Sequence, residues 1–87
     1  MDMLTIEVIT MNRKREEQYK MIGLNIAYVR KCRGMTQLQL AEAANISRTH
    51  MSVIEAPNLH TSVSWDTLFD IADALDVPLE RLVHFEE

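Results

Sequence analysis

Eighty-seven residues, 47% of them hydrophobic, can bury one modest core and form a single domain. A lone cysteine excludes an internal disulfide framework, and no stretch is long and apolar enough for a membrane span or a secretory h-region, so a reducing cytoplasm is the expected compartment. The formal charge of −4 is uneven: residues 13–48 carry eight basic side chains and three acidic ones, residues 61–87 one basic and seven acidic, so net charge alone does not exclude nucleic acid.

Residues 3–10, MLTIEVIT, are β-branched and partly alternating, which predicts a short strand. A lone strand leaves its backbone groups unpaired, so this segment either pairs with a partner chain or stays a loose arm. Met11 is an alternative start that would make the arm dispensable, and the expected division is an arm over 1–12 and a helical domain over 13–87. Asn12 is read as the cap of a helix over 13–33, with Ile22, Ile26 and Val29 at i, i+4, i+7 on its inner face. Arg30, Lys31 and Arg33 suit the negative end of that helix, and Gly34 suits a left-handed cap. Lys31 and Arg33 are either solvated surface or phosphate contacts.

Residues 36–55, TQLQLAEAANISRTHMSVIE, hold the densest pattern. Thr36 with Gln39 forms a capping box, and Leu38, Leu40, Ala41 and Ala44 are the apolar positions of a short helix. Asn45 tolerates the left-handed backbone needed to reverse the chain, and Ile46 plugs the corner. Ser47 caps a second helix whose inner face is Met51 and Ile54. Two short helices around a tight corner form a helix-turn-helix unit.

Turning 100° per residue from that inner face brings Thr49 and Val53 nearly opposite, with Ser52 beside them and Arg48 flanking. In a major groove these four side chains would meet base edges. Arg48 could bind guanine bidentately, Thr49 could hydrogen-bond or touch a thymine methyl, and Val53 could touch only the methyl. His50, to the side, could reach a phosphate, and Gln37 opens the preceding helix, where backbone N–H groups favour one.

Pro57 stops the helix by biasing Ala56 away from helical geometry. Residues 57–63, PNLHTSV, form a polar loop anchored by Leu59 and Val63, with Asn58 available to the DNA backbone. Ser64 caps a fourth helix, with Trp65, Leu68, Phe69, Ala72 and Leu75 read as its inner face and Asp66, Asp70 and Asp73 as its outer one. Pro78 opens a short fifth helix over 79–83, and Leu82, Val83 and Phe85 exceed what one small core can hide.

Arg30, Gly34, Thr36-Gln37, Leu40-Ala41, Ile46-Ser47, Glu55, Ser64, Thr67-Leu68, Ala74-Leu75 and the run at 79–82 together resemble the Cro/repressor-type regulators, the XRE family with the lambda-repressor-like fold, over residues 20–84. The resemblance implies an all-α, five-helix domain. It also implies a sequence-specific repressor that binds double-stranded DNA as a homodimer on a near-palindromic operator. It further implies a partly buried Arg30–Glu55 bridge, a phosphate-clamping role for Gln37 with Ser47 as a weaker second, and a dimer contact through Leu82, Val83 and Phe85. Two departures stand out: Pro57 replaces the glycine that commonly follows the glutamate, and the 57–63 loop lacks the usual lysine or arginine. The negative charge favours an alternative, an interaction module or antitoxin whose partner is a protein such as a toxin or polymerase. No cofactor or metal is expected, because Cys32, His50, His60 and His84 lack ligand spacing. With no phosphate-binding loop and no nucleophile elbow, an enzyme is not expected either.

Overall fold

The computed structural model describes residues 3–56 and 62–85, with side chains from Lys14 onward. The sequence expectations for Asn58, Leu59 and His60 lie outside the described residues. Among the described residues five helices follow one another: α1 (Met3–Cys32), α2 (Gln37–Ala43), α3 (Arg48–Glu55), α4 (Trp65–Leu75) and α5 (Glu80–Val83).

Helix ends are closely dictated by residue chemistry. Thr36 Oγ1 accepts from the Gln39 backbone N–H at 3.0 Å while the Thr36 N–H donates to Gln39 Oε1 at 2.8 Å, completing the capping box. Ser47 Oγ accepts from the His50 N–H, and Ser64 Oγ from the Thr67 N–H, so α3 and α4 each begin on a serine cap. Three helices end alike. Gly34, Asn45 and Asp76 take left-handed backbone (φ 70°, 58° and 56°), and the N–H of the next residue reaches back five positions to a carbonyl. Those bonds run from Met35 to Arg30, from Ile46 to Ala41, and from Val77 to Ala72, at 2.9–3.1 Å. The residue after each left-handed position is apolar and packs against the core, the contact that locks this type of helix end.

The core is shared by all five helices: Ile22, Ile26 and Val29 from α1, Leu40 and Ala41 from α2, Met51 and Ile54 from α3, Leu68, Ile71, Ala72 and Leu75 from α4, and Leu82 from α5. Asn25 binds the last of these to the first, its Nδ2 donating to the Leu82 and His84 carbonyls at 3.0 and 2.9 Å. Where α1 crosses α3 the backbones nearly touch, and a Cβ built on Gly23 would collide with the carbonyl oxygen of Ile54.

Four expectations are corrected. Residues 3–10 are not a strand: α1 runs unbroken through them, and Asn12 lies inside it rather than capping its start. Extending an existing helix gains one hydrogen bond per residue fixed, which outweighs the few tenths of a kcal/mol that β-branched residues lose there, whereas a lone strand has nothing to pair with. At about 1.5 Å per residue, α1 is roughly 45 Å long, and it accounts for the 48 Å long axis of the molecule. Trp65 and Phe69 are not inner residues of α4 but are 65% and 50% exposed. The inner stripe is 68–71–72–75, and on a 100° wheel both rings fall on its flank. Leu38 likewise faces outward from α2. Leu82 is fully buried within its own domain, so its side chain is unavailable for a dimer contact.

Replacing Gly23 by alanine tests the tight crossing. Helix propensity alone would raise stability by about 1 kcal/mol, but pushing a methyl into the Ile54 carbonyl should lower it by about 1–3 kcal/mol. Chemical denaturation of Gly23→Ala distinguishes the signs, and a stabilised variant would refute the crossing.

Candidate nucleic-acid interface

Met51 and Ile54 are buried against the core, which fixes the rotation of α3. That rotation leaves Arg48, Thr49, His50 and Ser52 exposed, with Val53 half-buried at the edge. Arg48, Thr49 and Ser52 therefore form one outward polar face. Ser47 is exposed but its hydroxyl already caps α3.

An ion pair holds this helix at its far end. Arg30 Nε donates to Glu55 Oε2 at 2.8 Å and Arg30 Nη2 to Oε1 at 2.9 Å, with the two side chains only 11% and 4% exposed. Arg30 Nη1 donates to the Met35 carbonyl at 2.8 Å, and Gln37 Nε2 donates to Glu55 Oε1 at 3.0 Å. One ion pair thus joins the end of α1, the first residue of α2 and the last of α3 through the carboxylate, and the turn after α1 through the guanidinium. Among the described residues, every buried side-chain nitrogen and oxygen has a hydrogen-bond partner, which a buried pair requires if desolvation is not to outweigh attraction.

Charge is sorted among the helix starts. Asp66 and Glu80 occupy the first turns of α4 and α5, whereas α2 and α3 have no acidic residue there. The positive ends of α2 and α3 are thus met only by the neutral caps Thr36 and Ser47 and carry no carboxylate of their own, a setting that suits an anion. Lys31 and Arg33, read as either solvated surface or phosphate contacts, are both exposed. Lys31 lines a groove of about 470 Å³ with Leu24, Tyr28 and Arg81, and Arg33 Nη2 reaches the Asp76 carbonyl at 3.3 Å. Asn58, the remaining phosphate candidate, is outside the described residues.

Residue spacing did not point to the Met35 carbonyl or to the bond between Gln37 and Glu55. The available signal was Gln37 itself, a long amide on the first turn of a helix whose neighbour ends in a carboxylate. Among the described residues no helix is long and apolar enough to cross a membrane, and no cluster of three or more His, Cys, Asp or Glu is disposed to hold a metal ion.

Comparison with known proteins agrees with this geometry. A family model described as helix-turn-helix matches residues 26–82. The immunity repressor protein of Bacillus phage phi105 is 40% identical over 62 residues, covering 71% of this chain and 42% of that protein. The chain therefore spans about two fifths of the length of this relative.

Removing one partner of the ion pair should be far more damaging than its exposed neighbours suggest. Glu55→Ala strands the Arg30 guanidinium in the interior and should lower unfolding free energy by about 3–5 kcal/mol. Urea titration measures it, and a loss below about 1 kcal/mol would put the pair in the class of surface bridges.

Proposed function

The chain belongs to the XRE-type helix-turn-helix family of Cro/repressor-type regulators, and on that premise we propose that it is a DNA-binding transcriptional repressor, acting as a homodimer on a near-palindromic operator. One observation carries this reading: the outward face of α3, held by buried Met51 and Ile54 and by the Arg30–Glu55 pair. Arg48 is the principal base reader, through bidentate contact to guanine, with Thr49 and Ser52 beside it and Val53 against a thymine methyl. Gln37 contacts a phosphate with one amide hydrogen while the other stays on Glu55. Ser47 and His50 lie close enough in sequence to Arg48 to meet the same backbone, and Lys31 and Arg33 add positive potential at longer range.

Half-sites would lie about one helical turn apart, because two copies of α3 must enter the groove from the same side of the duplex. With Leu82 inside the core, the dimer contact falls to half-buried Val83 and Phe85, which line a groove of about 300 Å³ together with exposed Trp65. Residues 3–12, expected as part of a separable arm, form the start of α1.

A second reading has its own supporting observation. Trp65 and Phe69 sit exposed with ring centroids 6.4 Å apart, on the helix that carries Asp66, Asp70 and Asp73. An aromatic pair among acids suits a protein partner such as a toxin or polymerase.

Polarisation titration with the gene's own upstream DNA separates the readings. Arg48→Ala should weaken the specific complex by about 1–3 kcal/mol and relax preference at one base pair. Wild-type affinity should fall by about 0.9 log units per phosphate contact for each tenfold rise in salt. Equal losses on specific and scrambled duplexes would count against base reading, and a flat salt response against DNA altogether.

A further inference from the structure

The hydrogen bonds around Glu55 give this carboxylate a second task. We propose that Glu55 is a positioning residue for the phosphate contact of Gln37, aiming its carboxamide as well as bridging helices; the inference rests on the phosphate reading of Gln37 given above.

A glutamine carboxamide near DNA has two faces of opposite use. Its nitrogen donates two hydrogens, while its oxygen only accepts and would repel a phosphate. Left alone, the side chain turns between them. Here the choice is made by its neighbour: ionised Glu55 can only accept, so it must be met by the nitrogen, and Nε2 lies 3.0 Å from Oε1. One Nε2 hydrogen is thereby fixed and the second, held in the amide plane, is left for a phosphate oxygen. Gln37 is half-buried, which further restricts its rotamers.

Arg30 makes the arrangement compatible with an anion. Its two bonds to Glu55, at 2.8 and 2.9 Å, offset the carboxylate charge, so Glu55 can hold the amide without repelling the phosphate beyond it. Because Arg30 is itself fixed to the Met35 carbonyl one residue before the cap of α2, the whole chain of contacts is referenced to the α1–α2 turn. Phosphate contacts set register without reading sequence, so loss of aim should weaken binding to any duplex alike.

Stability and aim can be separated by substitution. Glu55→Gln keeps an acceptor oxygen for Gln37 but leaves Arg30 without its countercharge, so it lowers the melting temperature. Arg30→Met combined with Glu55→Leu replaces the pair by apolar groups, which keeps stability near wild type but gives Gln37 nothing to hold. Full-length protein is titrated by polarisation against the gene's upstream duplex and a scrambled duplex, well below every melting point, with melts followed by circular dichroism. Gln37→Ala should weaken both complexes about 12- to 150-fold, the range of one hydrogen bond to a charged group. The stable apolar pair should lose as much, with no further loss when Gln37→Ala is added. The less stable Glu55→Gln should stay within about 2-fold of wild type. Affinity that follows melting temperature across these variants, or a full Gln37→Ala effect in the apolar background, would overturn the positioning role. A silent Gln37→Ala in the wild-type background would remove the phosphate reading itself, and the inference with it.

Discussion

The buried carboxylate of Glu55 is the constraint on which the arrangement turns. A charge only 4% exposed is tolerated because three N–H groups, two from Arg30 and one from Gln37, meet it at 2.8–3.0 Å. Ion pairs of this kind contribute little net stability, since desolvation offsets most of the attraction. What this one provides is geometry. It fixes the end of α3 to α1 and to the start of α2, so the outward side chains of α3 are presented from a frame rather than from a free helix.

Two further features make that frame narrow. Gly23 lets α1 lie against the backbone of α3, a separation that a single methyl would exceed. The left-handed residues at 34, 45 and 76 reverse the chain abruptly, and each returns an apolar side chain to the core. Short helices are marginal on their own. Here α2, seven residues long, and α3, eight, persist because both ends are chemically specified and one face is buried.

Those local devices are also what made the fold readable from sequence. Thr36 with Gln39, Ser47, Ser64, Gly34 and Asn45 act within a few residues of themselves, so their type and spacing carry the information. The outward residues of α3 followed from the position of Met51 and Ile54. Three things were not readable, each because it depends on something distant. Whether MLTIEVIT becomes strand or helix depends on whether a partner strand exists. Whether Trp65, Phe69 and Leu82 face in or out depends on which flank of α4 and α5 meets α1. That Gln37 would donate to Glu55 depends on two helices meeting eighteen residues apart. The family resemblance supplied the Arg30–Glu55 pair, which spacing alone would not have joined.

Methylation interference on the gene's upstream DNA tests the central claim most directly, because the reagent marks guanine N7 in the major groove and adenine N3 in the minor groove. Entry of α3 into the major groove predicts interference at guanine N7 in two patches about one helical turn apart, with one guanine in each patch losing its effect in Arg48→Ala. Interference confined to adenine N3, or a guanine pattern unchanged in that variant, would contradict the account.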